Sequence, residues 1–326
     1  MEDFIYAVTR IHIHERDLLT RKDLEALVSA STLDEAYSVL AAKGWDTRQN
    51  LDPEALVNSE YDKTWDLIIE AAGDLEELNV FRLERDYHNI KAALQLVYVG
   101  EPRSNWDSYF MRGGSVSLNK IISAAETQDF GSLPKEMALA AKQGWDALCE
   151  VCSGQMCEII IDRATLLAID RAGKSSSSDL IRRYANFTVD MANVKIAARC
   201  HMMRKSKDFM QRAIAPGGAL NADDLINAAL AENDEQEDYS LAHFLRETHY
   251  SGATDADSPG AFERWCNDEL MKLIRPQRNV ISGVEPLAAY ILAREAEIGQ
   301  VRLILSAKVG AVGESALQER LGATYV

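Results

Sequence analysis

Apolar residues recur along this chain at helical rather than strand spacing. Tyr87, Ile90, Leu94 and Val97 fall at i, i+3, i+7 and i+10 within Leu75 to Val99, a stretch that predicts one long helix ended by Gly100 and Pro102. Leu287, Ile291, Arg294, Ile298, Val301 and Leu305 line one face of a last helix, from about Glu285-Pro286 to Lys308, with Gly310 closing it. Phe4 to Leu19 reads as a helix. Thr32 starts another over Leu33 to Ala42, with Asp34 and Glu35 in the first turn, where the helix dipole favours acids, and Gly44 stops it. Pro53 opens the next from its first position. The serine run at 175–178 predicts a surface loop, after which Asp179 caps a helix reaching about Arg212. Residues 232–238 are acidic and 251–260 polar, and both read as solvated, mobile connections. Strand alternation is scarce and aromatics make up 7%, so the expectation is all-α.

The long-helix pattern returns. Asp86-x-x-Asn89-Ile90-Lys91 is repeated as Asp190-x-x-Asn193-Val194-Lys195, 104 residues later, and again as Glu297-x-x-Gln300-Val301-Arg302, with each residue replaced by a chemical relative. Gly113-Gly114-Ser-Val116 matches Gly217-Gly218-Ala-Leu220 at the same offset of 104. The register continues, with Ile121, Ile122, Ala124 and Ala125 matched by Leu225, Ile226, Ala228 and Ala229. A third Gly-Gly would fall at about Val326. The period is domain-sized, well above the ~20–50 residues of solenoid repeats. It predicts three similar helical units: 1–111, 112–215 and 216–326.

The 326 residues are 47% hydrophobic, enough for several small cores. Net charge is −16, which disfavours nucleic acid or an anionic membrane surface as direct partner and suits a basic protein surface. An odd count of five cysteines, with no basic and apolar leader at Met1-Glu2-Asp3-Phe4, points to a reduced, cytoplasmic compartment. No apolar run approaches the ~18 residues of a membrane span.

Candidate chemistry is thin. Gly173-Lys174-Ser175 resembles the end of a phosphate-binding loop, but Ala168 stands where the first glycine is required, so it reads as loop sequence. Cys149, Cys152, Cys157 and Cys200-His201 lack a second C-x-x-C, and buried thiols explain them better than zinc. His12 and His14 diverge on a helix and read as exposed. No serine-nucleophile or zinc-protease motif occurs. No catalytic, cofactor or metal residue is therefore assigned. The thrice-used motif (Asp86, Asn89, Lys91; Asp190, Asn193, Lys195; Glu297, Gln300, Arg302) is a poor active site, because active sites are normally unique. A carboxylate and an amide three apart share a helix face. They predict hydrogen bonds that pin neighbouring helices, with a partner-facing polar ring as the other reading.

Tyr6-Ala7-x-x-Arg10-Ile11 with Leu18-Leu19, the two Asp-x-x-Asn motifs, Arg112-Gly113-Gly114, and Pro216-Gly217-Gly218 together resemble the C subunit of prokaryotic V-type (A-type) rotary ATPases, the relative of the eukaryotic d subunit. The closing run is the most specific: Glu285-Pro286-Leu287-x-Ala289-Tyr290, Glu297-Ile298-x-x-Val301-Arg302-x-Ile304-Leu305, and Leu317-Gln-Glu-Arg320-Leu321. The resemblance spans nearly the whole chain. It implies three helical domains forming a funnel about a pseudo-threefold axis, and a non-catalytic role without cofactors. The implied partners are the central shaft subunits of D and F type and the membrane rotor ring, to which the chain would be peripherally attached. A helical adaptor for another protein, and more remotely a metal-dependent hydrolase using the cysteines and His201, are the alternatives that the residues alone leave open.

Overall fold

A computed structural model describes residues 2–47, 52–231, 240–256, 258–310 and 314–326. No β-strand occurs among them, so the fold is all-α. The helices in order are α1 (Glu2–His14), α2 (Arg21–Ser29), α3 (Leu33–Ala41), α4 (Pro53–Ala72), α5 (Leu83–Val99), α6 (Leu118–Thr127), α7 (Lys135–Cys149) and α8 (Gly154–Ser175). They continue with α9 (Asp179–Met202), α10 (Lys207–Ala213), α11 (Ala222–Leu230), α12 (Leu241–Arg246), α13 (Pro259–Ile274), α14 (Glu285–Val309) and α15 (Glu314–Arg320). Start signals are chemical. Thr20 and Asp23 form a reciprocal capping box at α2, Thr32 accepts from the Glu35 N–H at α3, and Pro53, Pro259 and Pro286 occupy first-turn positions of α4, α13 and α14.

The chain forms two compact units. One comprises the described residues of Met1–Glu76 and His249–Val326, the other those of Glu77–Thr248. In the first, α14 is buried on nearly every side, from Pro286 to Leu305, against α4, α1, α13, α3 and α2. Leu27, Leu40, Val57, Ile68, Leu287, Ile291 and Leu305 fill its core. In the second, α8 lies against α5, α7 and α9. Ile90, Leu94, Ile121, Ala141, Leu148, Cys157 and Ile161 form one buried cluster there. Gly173 on α8 exists for this packing, since a Cβ would lie 2.3 Å from Ala185 Cβ on α9.

Several expectations are corrected. Leu75 to Val99 is not one helix: Glu76–Arg82 is 3-10, and α5 begins at Leu83. At three residues per turn Leu78 and Phe81 align and are both buried, and the Phe81 ring sits 4.9 Å from that of Tyr184. Gly173-Lys174-Ser175 is helix, not loop. Ser178, not Asp179, caps α9, its hydroxyl accepting from the Ile181 N–H. The α9 helix stops at Met202 rather than near Arg212, because a new N-cap, Ser206, starts α10. The polar segment at 251–260 is not merely solvated, since Ser251–Asp255 is 3-10 with Ala253 buried and α13 begins at Pro259. The acidic stretch 232–238 lies outside the described residues.

Candidate functional site

On α5, Asp86 and Asn89 share a face and are both buried. One carboxylate oxygen of Asp86 accepts from the Val116 N–H at 3.0 Å, and the other from the Ser115 hydroxyl. The Asn89 amide closes a two-bond clamp on one residue: it accepts from the Met111 N–H and donates to the Met111 carbonyl, both at 2.8 Å. On α9 the same grip recurs. Asp190 accepts from the Ala219 and Leu220 N–H groups at 3.0 Å, and Asn193 clamps Ala215 at 2.9 and 3.0 Å. Met111, Ser115 and Val116 correspond to Ala215, Ala219 and Leu220 at the sequence offset of 104. Each long helix thus holds not a neighbouring helix, as expected, but the loop that follows the next short helical segment: Arg103–Tyr109 after α5, and α10 after α9.

The glycines complete the clamps. A Cβ on Gly114 would lie 2.2 Å from Asp86 Oδ1, and one on Gly218 would lie 2.2 Å from Asp190 Oδ1. Gly218 also has φ +74°, a region that side chains rarely tolerate. Asp170 on α8 adds a second hold in the later loop, accepting from the Gly218 N–H at 3.0 Å while pairing with Lys174. Burial raises the Asp86 carboxyl above its ordinary value, opposed by the Ser115 and Val116 hydrogen bonds.

The third motif departs from the other two. Glu297 and Gln300 are buried on α14, but Glu297 accepts from the Leu19 N–H and pairs with Arg294. Arg294 in turn pairs with Glu60 at 2.8 Å, donates to Thr64, and stacks 5.4 Å from the Trp45 ring. Burial raises the Glu297 carboxyl, opposed by the Arg294 charge. Burial works against the Arg294 charge too, but Glu297, Tyr290 and Glu60 outweigh it and hold that guanidinium above its ordinary value. Gln300 donates to the Ala323 carbonyl at 3.5 Å, whereas the Ala323 N–H goes to Asp268 at 2.6 Å. The longer side chains that replaced Asp and Asn reach different partners. Of the basic members, Lys91 bridges to Asp162 on α8 at 2.6 Å and Arg302 to Glu54 on α4 at 2.8 Å.

Sequence reasoning missed Asp170 and Glu60, which carry no local signal; it set Arg294 on the packed face of the last helix and Ser115 in the Gly-Gly match without giving either a partner. It also misread the serine run. Ser176 and Ser178 are buried, and Glu77 accepts from Ser176, Ser177 and Ser178. These bonds hold the Glu77 carboxyl below its usual range against the burial that would raise it. His12 is half-buried rather than exposed, contacting Glu15 at 2.9 Å and the Val280 carbonyl at 3.1 Å. Cys149 and Cys152 are exposed while Cys157 and Cys200 are buried, and His201 faces the Ala229 carbonyl at 2.7 Å. Among the described residues no three His, Cys, Asp or Glu side chains are grouped to hold a metal.

Carboxylates and amides aimed at the chain's own backbone define a class: an internally repeated, all-α protein whose repeated polar groups hold its own loops. The particular family follows from comparison. The family model described as ATP synthase (C/AC39) subunit matches residues 7–320, and the chain belongs to that family. It is also similar to the C subunit of the V-type sodium ATPase of Enterococcus hirae, at 23% identity over 326 residues covering 95% of each chain. The chain is accordingly a subunit of a rotary ATPase.

Proposed function

We propose that the protein is a non-catalytic socket and spacer of the central stalk, joining the rotating shaft subunits of D and F type to the membrane rotor ring and passing torque between ATP turnover and ion transport. The match over residues 7–320 carries this reading. The clamps on α5 and α9 support it physically, because loops gripped by buried carboxylate and amide side chains resist displacement more than loops held by water alone. The sequence period supports a body of three similar units, 1–111, 112–215 and 216–326, arranged as a pseudo-threefold funnel. Such a body can adapt a shaft to a ring of different symmetry. No helix among the described residues is long and apolar enough to cross a membrane, and in this reading attachment runs through the ring. The cation transported is a property of that ring.

The test is depletion and return. A complex stripped of this chain should still hydrolyse ATP but pump no ions, and adding the chain back should restore coupling. The chain should co-elute with the purified D- and F-type shaft pair and show no saturable heat with ATP in calorimetry. Undiminished ion pumping in the stripped complex would overturn the proposal.

A further inference from the structure

The end of α9 departs from the acidity of the chain as a whole. Between Lys195 and Arg212 the sequence carries six lysines and arginines and one acid, Asp208, in a chain of net charge −16. Asp208 is paired with Arg212. At the tip, Met202 is 74% exposed and Met203 57% exposed. Arg204 follows with φ +49°. Its N–H bonds to the His201 carbonyl, and the Lys205 N–H bonds back to the Cys200 carbonyl, so Arg204 occupies the left-handed position of a helix-ending turn.

The matching position of the repeat holds a glycine. At the offset of 104, α5 ends in the same pair of bonds, Gly100 to Val97 and Glu101 to Leu96, and its left-handed residue is Gly100 with φ +68°. An arginine stands on α9 where α5 has glycine, at a cost in backbone strain. Basic groups near a helix C-terminus offset the dipole, which accounts for Arg199 and His201. The dipole explains neither a strained, exposed arginine nor two exposed methionines beside it. Methionine is the flexible apolar side chain that repacks against varied surfaces.

We infer that the α9 tip, formed by Met202, Met203, Arg204, Lys205 and Lys207, is a docking surface for a protein segment that presents carboxylates together with an apolar side chain. The rest of the body is acidic and suits basic partners; this turn suits the opposite charge. The chain's own residues 232–238, Glu-Asn-Asp-Glu-Gln-Glu-Asp, offer carboxylates but no apolar group to cover the methionines. In the rotary reading proposed above, on which the partner's identity rests, the segment belongs to another subunit of the same complex.

Two measurements test this. The first is hydroxyl-radical footprinting, in which methionine oxidation at 202 and 203 is read by mass spectrometry in native membranes and in the isolated chain. Oxidation at least fivefold slower in membranes is expected, and equal rates would overturn the surface. Protection in membranes whose shaft subunits do not co-purify with the chain would leave the surface standing and remove the rotary reading. The second is Arg204→Gly, which relieves the strain. The variant should melt no lower than wild type yet be retained in the complex at least tenfold less well; unchanged retention means the arginine serves no contact. A photo-crosslinker at Met203 identifies the occupant. Capture of an acidic segment of another subunit supports the inference, whereas capture of lipid, or of residues 232–238 of the same chain, overturns it.

Discussion

Asn193 holds Ala215 by both ends of its amide, donating to the Ala215 carbonyl at 2.9 Å and accepting from its N–H at 3.0 Å. A side-chain amide here replaces a backbone partner, satisfying two polar groups that the loop after α10 would otherwise bury unpaired. Asn193→Leu removes both bonds and leaves the Ala215 groups orphaned. Loss of about 1–3 kcal/mol of unfolding free energy is expected. Thermal or urea unfolding measures it. A variant that melts like wild type but no longer assembles with the shaft would favour a partner-facing role for the motif.

Glycine at 218 is required twice, by its backbone conformation and by the approach of Asp190, whereas Gly114 is required only by the approach of Asp86. Gly218→Ala should therefore lower the melting temperature more than Gly114→Ala, with both below wild type. Equal melting points would mean that the carboxylates shift aside and that left-handed strain is relieved elsewhere.

Arg294 sits between two buried carboxylates, so Arg294→Met leaves Glu297 without its counter-charge while Glu60 keeps Lys63. Such a loss costs about 3–5 kcal/mol at neutral pH. Burial already raises the Glu297 carboxyl above its ordinary value of 4.5. A raised carboxyl contributes stability fully below its unfolded value and loses it as pH rises through the folded one. Removing Arg294 raises the folded value further. The gap between variant and wild type should then narrow as pH falls from 8 towards 5 in denaturation curves. A gap that does not change with pH would exclude the carboxylates as its cause.

Cysteine labelling separates surface from core. Burial pushes the Cys157 thiol up to about 11 and raises that of Cys200, while Cys149 and Cys152 are exposed. Iodoacetamide at pH 8 should modify Cys149 and Cys152 within minutes, and Cys157 and Cys200 only on unfolding. Rapid labelling of Cys157 in the folded protein would show that α7 and α8 separate readily.

The α5 and α9 clamps were legible because their chemistry is periodic. Asp-x-x-Asn repeated at a fixed offset marks a carboxylate and an amide on one helix face, but that they grip the Gly-Gly loops rather than neighbouring helices is shown only by the structure. Sequence likewise determined the all-α class, through i, i+3, i+7 spacing, and the starts of α3, α4 and α14, through Thr32, Pro53 and Pro286. What it could not determine were partners distant along the chain. Glu77 meets Ser176 about a hundred residues later, and Arg294 meets Glu60 from 234 residues away. Local pattern records which face of a helix is buried, whereas packing alone decides what lies across from it. For the same reason the third motif looked like the first two yet bonds differently. One added methylene in Glu297 and in Gln300 changes their reach, and only the tertiary structure fixes what stands within it.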